Sequence, residues 1–245
     1  MMKFGIVGDI HANLEALKVV IAQLKKEEVD SIFCLGDIVG YNANPKECIE
    51  LLWENKVNCI SGNHDRFTSG EIDAVIRPET RYVIEYTKKT LSKEQMDFIS
   101  CLPEERYFED IFLFVHGSPR HKDEYINSLQ TARTNLHFLK QERPFVFLCF
   151  YGHTHLPYLI SSNSVETDIH QSKMFQLDRH LSYLVNVGSV GQPRDQCPLA
   201  SCAVYDTEAY TISYHRLEYN IPETQKKIRD AGFDNKLAER LARGK

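Results

Sequence analysis

Five short apolar runs in this chain each stop at a glycine flanked by an aspartate, an asparagine or a histidine. They are Val7-Gly8-Asp9-Ile10-His11, Leu35-Gly36-Asp37, Ser61-Gly62-Asn63-His64-Asp65, Val115-His116-Gly117 and Tyr151-Gly152-His153-Thr154-His155. A run of four to six apolar residues that ends in glycine reads as a buried strand turning at its end. Between the first three runs lie helical patterns. Asn13 can cap a helix through Leu14, Leu17, Val20, Ile21 and Leu24, and Pro45 opens another through Ile49, Leu52 and Trp53. That β-α-β-α-β order implies a parallel sheet with right-handed crossovers. In such a sheet, ligands bind beyond the carboxyl ends of the strands, so the five endings are expected to converge on one crevice.

Farther along, residues 66–103 are polar and helical in character, with a capping box at Ser92-Lys93-Glu94-Gln95. Strands resume at 106–108 and 111–115, a helix is expected near 128–141, and the most apolar run spans 145–150. Runs at 183–187, 199–205 and 209–217 read as consecutive strands of a meander, and two short helices (222–231 and 234–243) close the chain. No linker or repeat interrupts this pattern, so the reading is an α/β fold in one domain over 1–245.

Composition narrows the chemistry. Five of the 12 glycines and five of the ten histidines fall in the five endings, whereas the seven cysteines form no C-x-x-C pair. An odd cysteine count without such pairs argues against a disulfide framework or a thiolate zinc site and fits a reducing cytoplasm. No apolar run approaches the ~20 residues of a membrane span, and the start is too short in apolar residues for a secretory signal. The net charge is −5 and no Lys/Arg run exceeds two, so nothing marks a nucleic-acid partner. Association into a homo-oligomer is compatible with the sequence.

Within Asp9-x-His11 and His153-x-His155, the spacing of two puts both side chains on one side of an extended backbone. Two aspartates, four histidines and one asparagine offer only N and O donors, enough for two divalent ions if one carboxylate bridges. Mn, Fe, Zn or Ni would suit that set. Two such ions with a bridging hydroxide are suited to in-line attack on a phosphate ester. With two aspartates they leave the site positive, which would attract a small anionic phosphate ester or nucleotide despite the net −5. Arg66, Arg120 and Arg194 each closely follow a motif and are candidates for binding the phosphate. Tyr41, Asn42 and Asn44 are candidates for the walls of a leaving-group pocket.

The ordered set Asp9-x-His11, Gly36-Asp37-x-x-Gly40, Gly62-Asn63-His64-Asp65, His116-Gly117-Ser118 and Gly152-His153-Thr154-His155 resembles the calcineurin-like metallophosphoesterase superfamily. Asn186-Val187-Gly188-Ser189-Val190-Gly191-Gln192-Pro193-Arg194 resembles its smaller prokaryotic YfcE-type phosphodiesterase branch. The resemblance implies a four-layer α-β-β-α sandwich of two mixed sheets flanked by helices. It implies one metal on Asp9, His11, Asp37 and His155, and a second on Asp37, Asn63, His116 and His153, with Asp37 bridging. His64 would stabilise the transition state or protonate the leaving oxygen. The chain departs from the protein-phosphatase pattern at Gly40, where that group carries an acidic residue that orients the motif histidine. Here His64 has no such partner, and the expectation is a phosphodiesterase. A catalytically silent scaffold of the same fold and a phosphomonoesterase or nucleotidase are the alternatives.

Overall fold

The computed structural model describes residues 2–72 and 76–245. The chain runs β1 (Lys3–Val7), α1 (Leu14–Lys26), β2 (Ser31–Cys34), α2 (Pro45–Glu54), β3 (Asn58–Cys59), α3 (Asn63–Ser69), α4 (Pro78–Thr90) and α5 (Lys93–Ser100). Then come β4 (Glu105–Phe108), β5 (Phe112–Val115), α6 (Leu129–Glu142), β6 (Leu148–Tyr151), β7 (Pro157–Ser161), β8 (Val165–Glu166) and β9 (Lys173–Gln176). The last elements are β10 (Tyr183–Val187), β11 (Ala200–Asp206), β12 (Thr211–Leu217), α7 (Ile221–Asp230) and α8 (Asn235–Leu241). Among the described residues, no helix is long and apolar enough to cross a membrane, and all seven cysteines are free.

Local signals set the helix starts. The Asn13 side chain accepts the Ala16 amide at 3.1 Å, and Ser92 and Gln95 satisfy each other's backbone amides at 3.2 and 3.0 Å. Pro45 and Pro78 occupy first turns, where the missing N–H costs nothing.

Two six-stranded mixed sheets form, in the orders β3-β2-β1-β11-β12-β9 and β4-β5-β6-β10-β7-β8. In the first sheet β1, β2 and β3 are parallel; in the second β5, β6 and β10 are parallel. Aromatic and aliphatic residues from both sheets meet between them, among them Phe4, Ile6, Phe33, Phe114, Phe150 and Val185. Phe33 stacks on Phe114 at 4.2 Å between ring centres, and Phe114 on Phe150 at 5.2 Å. Each ring so buried contributes ~1.5–3 kcal/mol. Helices α1, α2 and α5 cover the outer face of the first sheet, and α6 covers that of the second. This is the four-layer sandwich implied by the resemblance.

Two expectations change. The 183–187 run is not the first strand of a meander: β10 lies in the second sheet between β6 and β7, and only β11 and β12 form a hairpin. All five residues of β10 are buried, which suits a central strand covered on both faces, and the chain leaves it through Gly188 at φ +74° to reach the other sheet. The 145–150 run pairs only from Leu148 onward, and Phe145 is 79% exposed. Strands β7, β8 and β9 had no clear sequence signal. In the polar middle stretch α3, α4 and α5 are helical as expected; residues 73–75 of it lie outside the described residues.

Candidate metal centre

Parallel pairing brings the five endings together. Val7 lies opposite Cys34, and Cys34 opposite Cys59. The segments after β1, β2 and β3 therefore emerge at one edge of the first sheet. Phe114 lies opposite Phe150, placing the ends of β5 and β6 at the matching edge of the second. Asp9, His11, Asp37, Asn63 and His64 come from the first sheet, and His116, His153 and His155 from the second. The side chains of Asp9, His11, Asp37, His116 and His155 are all 2% exposed or less.

The backbone route differs from the expected one. Asp9, His11, Asp37, His153 and His155 all have positive φ, between 47° and 68°. Their side chains converge through left-handed turns, not through the alternation of an extended strand. Non-glycine residues in that region are uncommon and cost of order 1 kcal/mol or more each, and such strain gathers at functional sites. Crowding adds a second constraint. A Cβ on Gly62 would lie 2.1 Å from Asp37 Oδ1, so only glycine lets α3 start against that carboxylate.

Ligand-type atoms of Asp9, His11, Asp37 and His155 lie within 4.8 Å of one another, and those of Asp37, His116 and His153 do likewise. Asp37 belongs to both groups. The Asn63 carboxamide oxygen sits 3.1 Å from His116 Nε2, next to the second group. The imidazoles are held by backbone carbonyls: Nδ1 of His11 on Val39 at 3.1 Å, of His116 on Leu35 at 2.8 Å and of His155 on Gln192 at 2.6 Å. A carbonyl can only accept, so each of these Nδ1 atoms carries the proton and each Nε2 presents a lone pair. Yet His11 Nε2 faces His155 Nε2 at 3.1 Å, with Asp37 Oδ2 and Asp9 Oδ1 each 3.5 Å from one of them. Two opposed lone pairs beside two carboxylates repel one another, and a cation among them resolves the conflict. The donor set therefore fits divalent metal ions.

The electrostatics agree. Burial pushes the Asp37 carboxyl up to about 7, and burial together with the nearby Asp37 charge raises Asp9 well above the usual carboxylate range. Burial lowers His116 to about 4 and His64 to about 3, and takes His11 and His155 well below the ordinary imidazole range. Neutral imidazoles beside carboxylates short of positive charge are the donor chemistry that suits divalent ions.

Segment 186–194 braces both sets of loops. Asn186 Nδ2 donates to the Gly152 carbonyl at 2.9 Å, Ser189 Oγ to the Asp9 carbonyl at 2.8 Å, and Asn13 Nδ2 to the Gly191 carbonyl at 2.9 Å. Asp65 has a bracing role too. It accepts the amides of Ile38, Val39 and Gly62 at 3.0, 3.2 and 2.9 Å, and so ties the loop after β2 to the start of α3 instead of orienting the His64 ring.

Over this centre opens a cleft of about 780 Å³ whose lining includes Tyr41, Asn63, His64, Tyr125 and Arg194. The three candidate arginines part company here. Arg194 reaches the cleft, with Nη2 3.1 Å from Gln192 Oε1 and 3.4 Å from the Tyr41 hydroxyl. Arg66 is 1% exposed and ion-paired with Asp123. Arg120 pairs with Glu124 and lines a separate surface hollow. Tyr41 lines the cleft, whereas Asn42 is buried and donates to the His11 carbonyl at 2.7 Å, and Asn44 precedes α2. Tyr125 was missed: its ring centre lies 3.8 Å from that of His153. Arg77, Lys236 and Arg240 on the far wall were missed as well. None of these four sits in a motif.

Residues 2–210 match the model of the calcineurin-like phosphoesterase superfamily domain. The chain belongs to that superfamily. It is 36% identical over 249 residues to an uncharacterized protein, MJ0912, of Methanocaldococcus jannaschii, with 98% of each chain covered. It is similar in structure to a metallophosphoesterase from Sphaerobacter thermophilus (TM-score 0.85, 35% identity, covering 100% of this chain and 99% of that one). The hypothetical protein PH1004 from Pyrococcus horikoshii shares the fold (TM-score 0.81, 18% identity, covering 100% and 99%). This calcineurin-like phosphoesterase thus carries a buried Asp/His cluster of metal-binding type, and its superfamily is one of hydrolases acting on phosphate esters.

Proposed function

We propose that the protein is a dinuclear metal-dependent phosphodiesterase. The observation that carries the reading is the sharing of Asp37 between two ligand groups directly beneath a cleft that presents Asn63 and His64. Asp9, His11, Asp37 and His155 would hold one divalent ion, and Asp37, Asn63, His116 and His153 the other. When bound, the ions supply charge that offsets the negative charge developing on a phosphoryl group, and they acidify water at neutral pH.

The chain's own residues do the rest. His64 Nδ1 is buried without a hydrogen-bond partner among the described residues. Gly40, at φ +98°, packs so close that a Cβ there would lie 2.3 Å from Nδ1. A buried N–H with no acceptor is more costly than a bare ring nitrogen, so the neutral ring keeps its proton on Nε2. From there it can donate a hydrogen bond to the leaving oxygen. The ring is also held edge-on to His11 and tilted against Tyr41, at 4.8 and 4.4 Å between centres. Arg194, partly buried beside the Tyr41 ring, is placed to hold a non-bridging phosphate oxygen. The roomy cleft can take an esterified substituent on the non-leaving side, which favours a diester over a monoester.

Purified protein loaded with Mn is expected to hydrolyse bis(p-nitrophenyl) phosphate. Asp37→Asn is expected to lower kcat at least ~10³-fold by removing the shared ligand's charge. If the loaded wild type is inert toward diesters, monoesters and nucleotides alike, the proposal fails, and a scaffold role becomes the better reading.

A further inference from the structure

The far wall of the cleft carries a charge pattern that hydrolysis of a simple diester does not use. Arg77 precedes α4, Lys236 and Arg240 lie on α8, and Arg194 stands between them and the metal centre. Against these four cations the same lining offers two carboxylates, Glu79 and Asp234. Among the described residues none of the four is ion-paired with an acidic side chain. Arg194 turns to Gln192 and Tyr41, and its buried Nε has no partner. Arg240 donates through Nε to the main-chain oxygen of Lys245 at 2.7 Å.

Several other cations of this acidic protein pair with carboxylates. Lys122 pairs with Glu71 and Glu104, Arg143 with Glu105 and Lys227 with Glu15. In the cleft the four gather in mutual repulsion: burial and the Arg194 charge depress the Arg240 pKa, and Arg77 adds to the effect. A small apolar cluster fixes the arrangement. Val83 of α4, Ile228 of α7 and Leu237 and Leu241 of α8 pack with Ala43 and Phe233, so α4 and α8 are pinned on the loop that carries Tyr41. Four cations held together against two carboxylates mark a place built for an anion.

We propose that this wall is a second anion site: the substrate carries, besides the phosphodiester held over the metal centre, a further phosphate group bound by Arg77, Lys236 and Arg240. The substrate class is then a phosphodiester with an additional phosphate, such as a nucleotide phosphorylated at a second position. Exposed Tyr125 offers a face for a planar base beside it. The proposal rests on reading the metal centre as the reaction site, but the anion site itself can be tested without metal.

Two measurements decide it. Metal-stripped protein is titrated calorimetrically with inorganic tripolyphosphate. Metal-loaded protein is assayed with thymidine 5′-(p-nitrophenyl phosphate) and with the same ester carrying a 3′-phosphate, which release the same leaving group. The wild type is expected to bind tripolyphosphate in a salt-sensitive manner and to prefer the 3′-phosphorylated ester by roughly tenfold in kcat/KM. Exposed Lys236→Ala and the double variant Lys236→Ala/Arg240→Ala should weaken tripolyphosphate binding in steps and erase that preference. Equal binding by wild type and variants, absence of binding, or no preference between the esters would overturn the anion site. If the loaded protein cleaves neither ester while the titration still separates wild type from variants, the reading of the metal centre fails and the anion site stands.

Discussion

The floor and the far wall of the cleft are built on opposite principles. On the floor most ligand side chains are fixed by a neighbour: His11, His116 and His155 each donate from Nδ1 to a backbone carbonyl, and Asp37 Oδ1 accepts the His64 amide at 2.8 Å. On the wall, Arg77, Lys236 and Arg240 project from helices held by a cluster of their own, with few partners for their charges. The floor is pre-organised to hold compact, highly charged ions; the wall is arranged to meet a larger, variable ligand. On the proposed reading, the difference separates where the chemistry is done from where the substrate is chosen.

The comparison can be broken first at His64, the residue that joins the two regions. His64→Asn is expected to lower kcat ~10²-fold with metal content unchanged; metal analysis beside steady-state kinetics checks both. Loss of metal would move His64 into the ligand set. A second break lies beneath the floor. Gly62→Ala pushes a methyl into Asp37 Oδ1 and the Asp37 amide, which a Cβ would approach to 2.1 and 2.3 Å. It should destabilise the fold by about 2–4 kcal/mol and weaken metal binding, as read by denaturant unfolding and metal titration.

How much of this the sequence disclosed follows the same division. Asp9, Asp37, Asn63, His116 and His153 stand within one or two residues of a strand-ending glycine, so a short-range pattern betrays them. The convergence of the endings then follows from parallel pairing within each sheet and the stacking of the two sheets. Arg77, Tyr125 and Arg240 reach the cleft only through long-range packing of α4, α7 and α8 and the loop before α6, and local spacing carries no trace of that. Arg66 and Arg120 show the converse error. Their closeness to a motif suggested a role at the phosphate, but Arg66 is buried against Asp123, Arg120 pairs with Glu124 at the surface, and neither lines the cleft. Likewise β10 was misread because a strand buried on both faces looks the same in either sheet.

Titration gives a subtler test. Burial raises Asp37 from an ordinary 3.8 to about 7, so the folded, metal-free protein holds that proton more tightly than the unfolded chain. Its contribution to stability is full below about pH 4 and is lost as the pH rises through 7. His64 runs the other way, falling from 6.5 to about 3; its contribution is full above 6.5 and is lost only as the pH drops toward 3. Between pH 6.5 and 8.5, therefore, the Tm of metal-free protein should fall by about 2–3 °C, and bound metal should remove the decline. A metal-free Tm that rises across this window would contradict the account. The smallest effect is expected at Arg120, outside both regions. Arg120→Ala should change stability by no more than ~0.5 kcal/mol and leave kcat/KM for the diester as it was.

The central claim is that Asp37 is shared by two metal ions, and metal titration of stripped protein tests it most directly. Wild type is predicted to take up about two equivalents of Mn, and Asp37→Asn, which keeps the shape of the side chain but not its charge, to hold one weakly or none. Two tightly bound equivalents in the variant would contradict it.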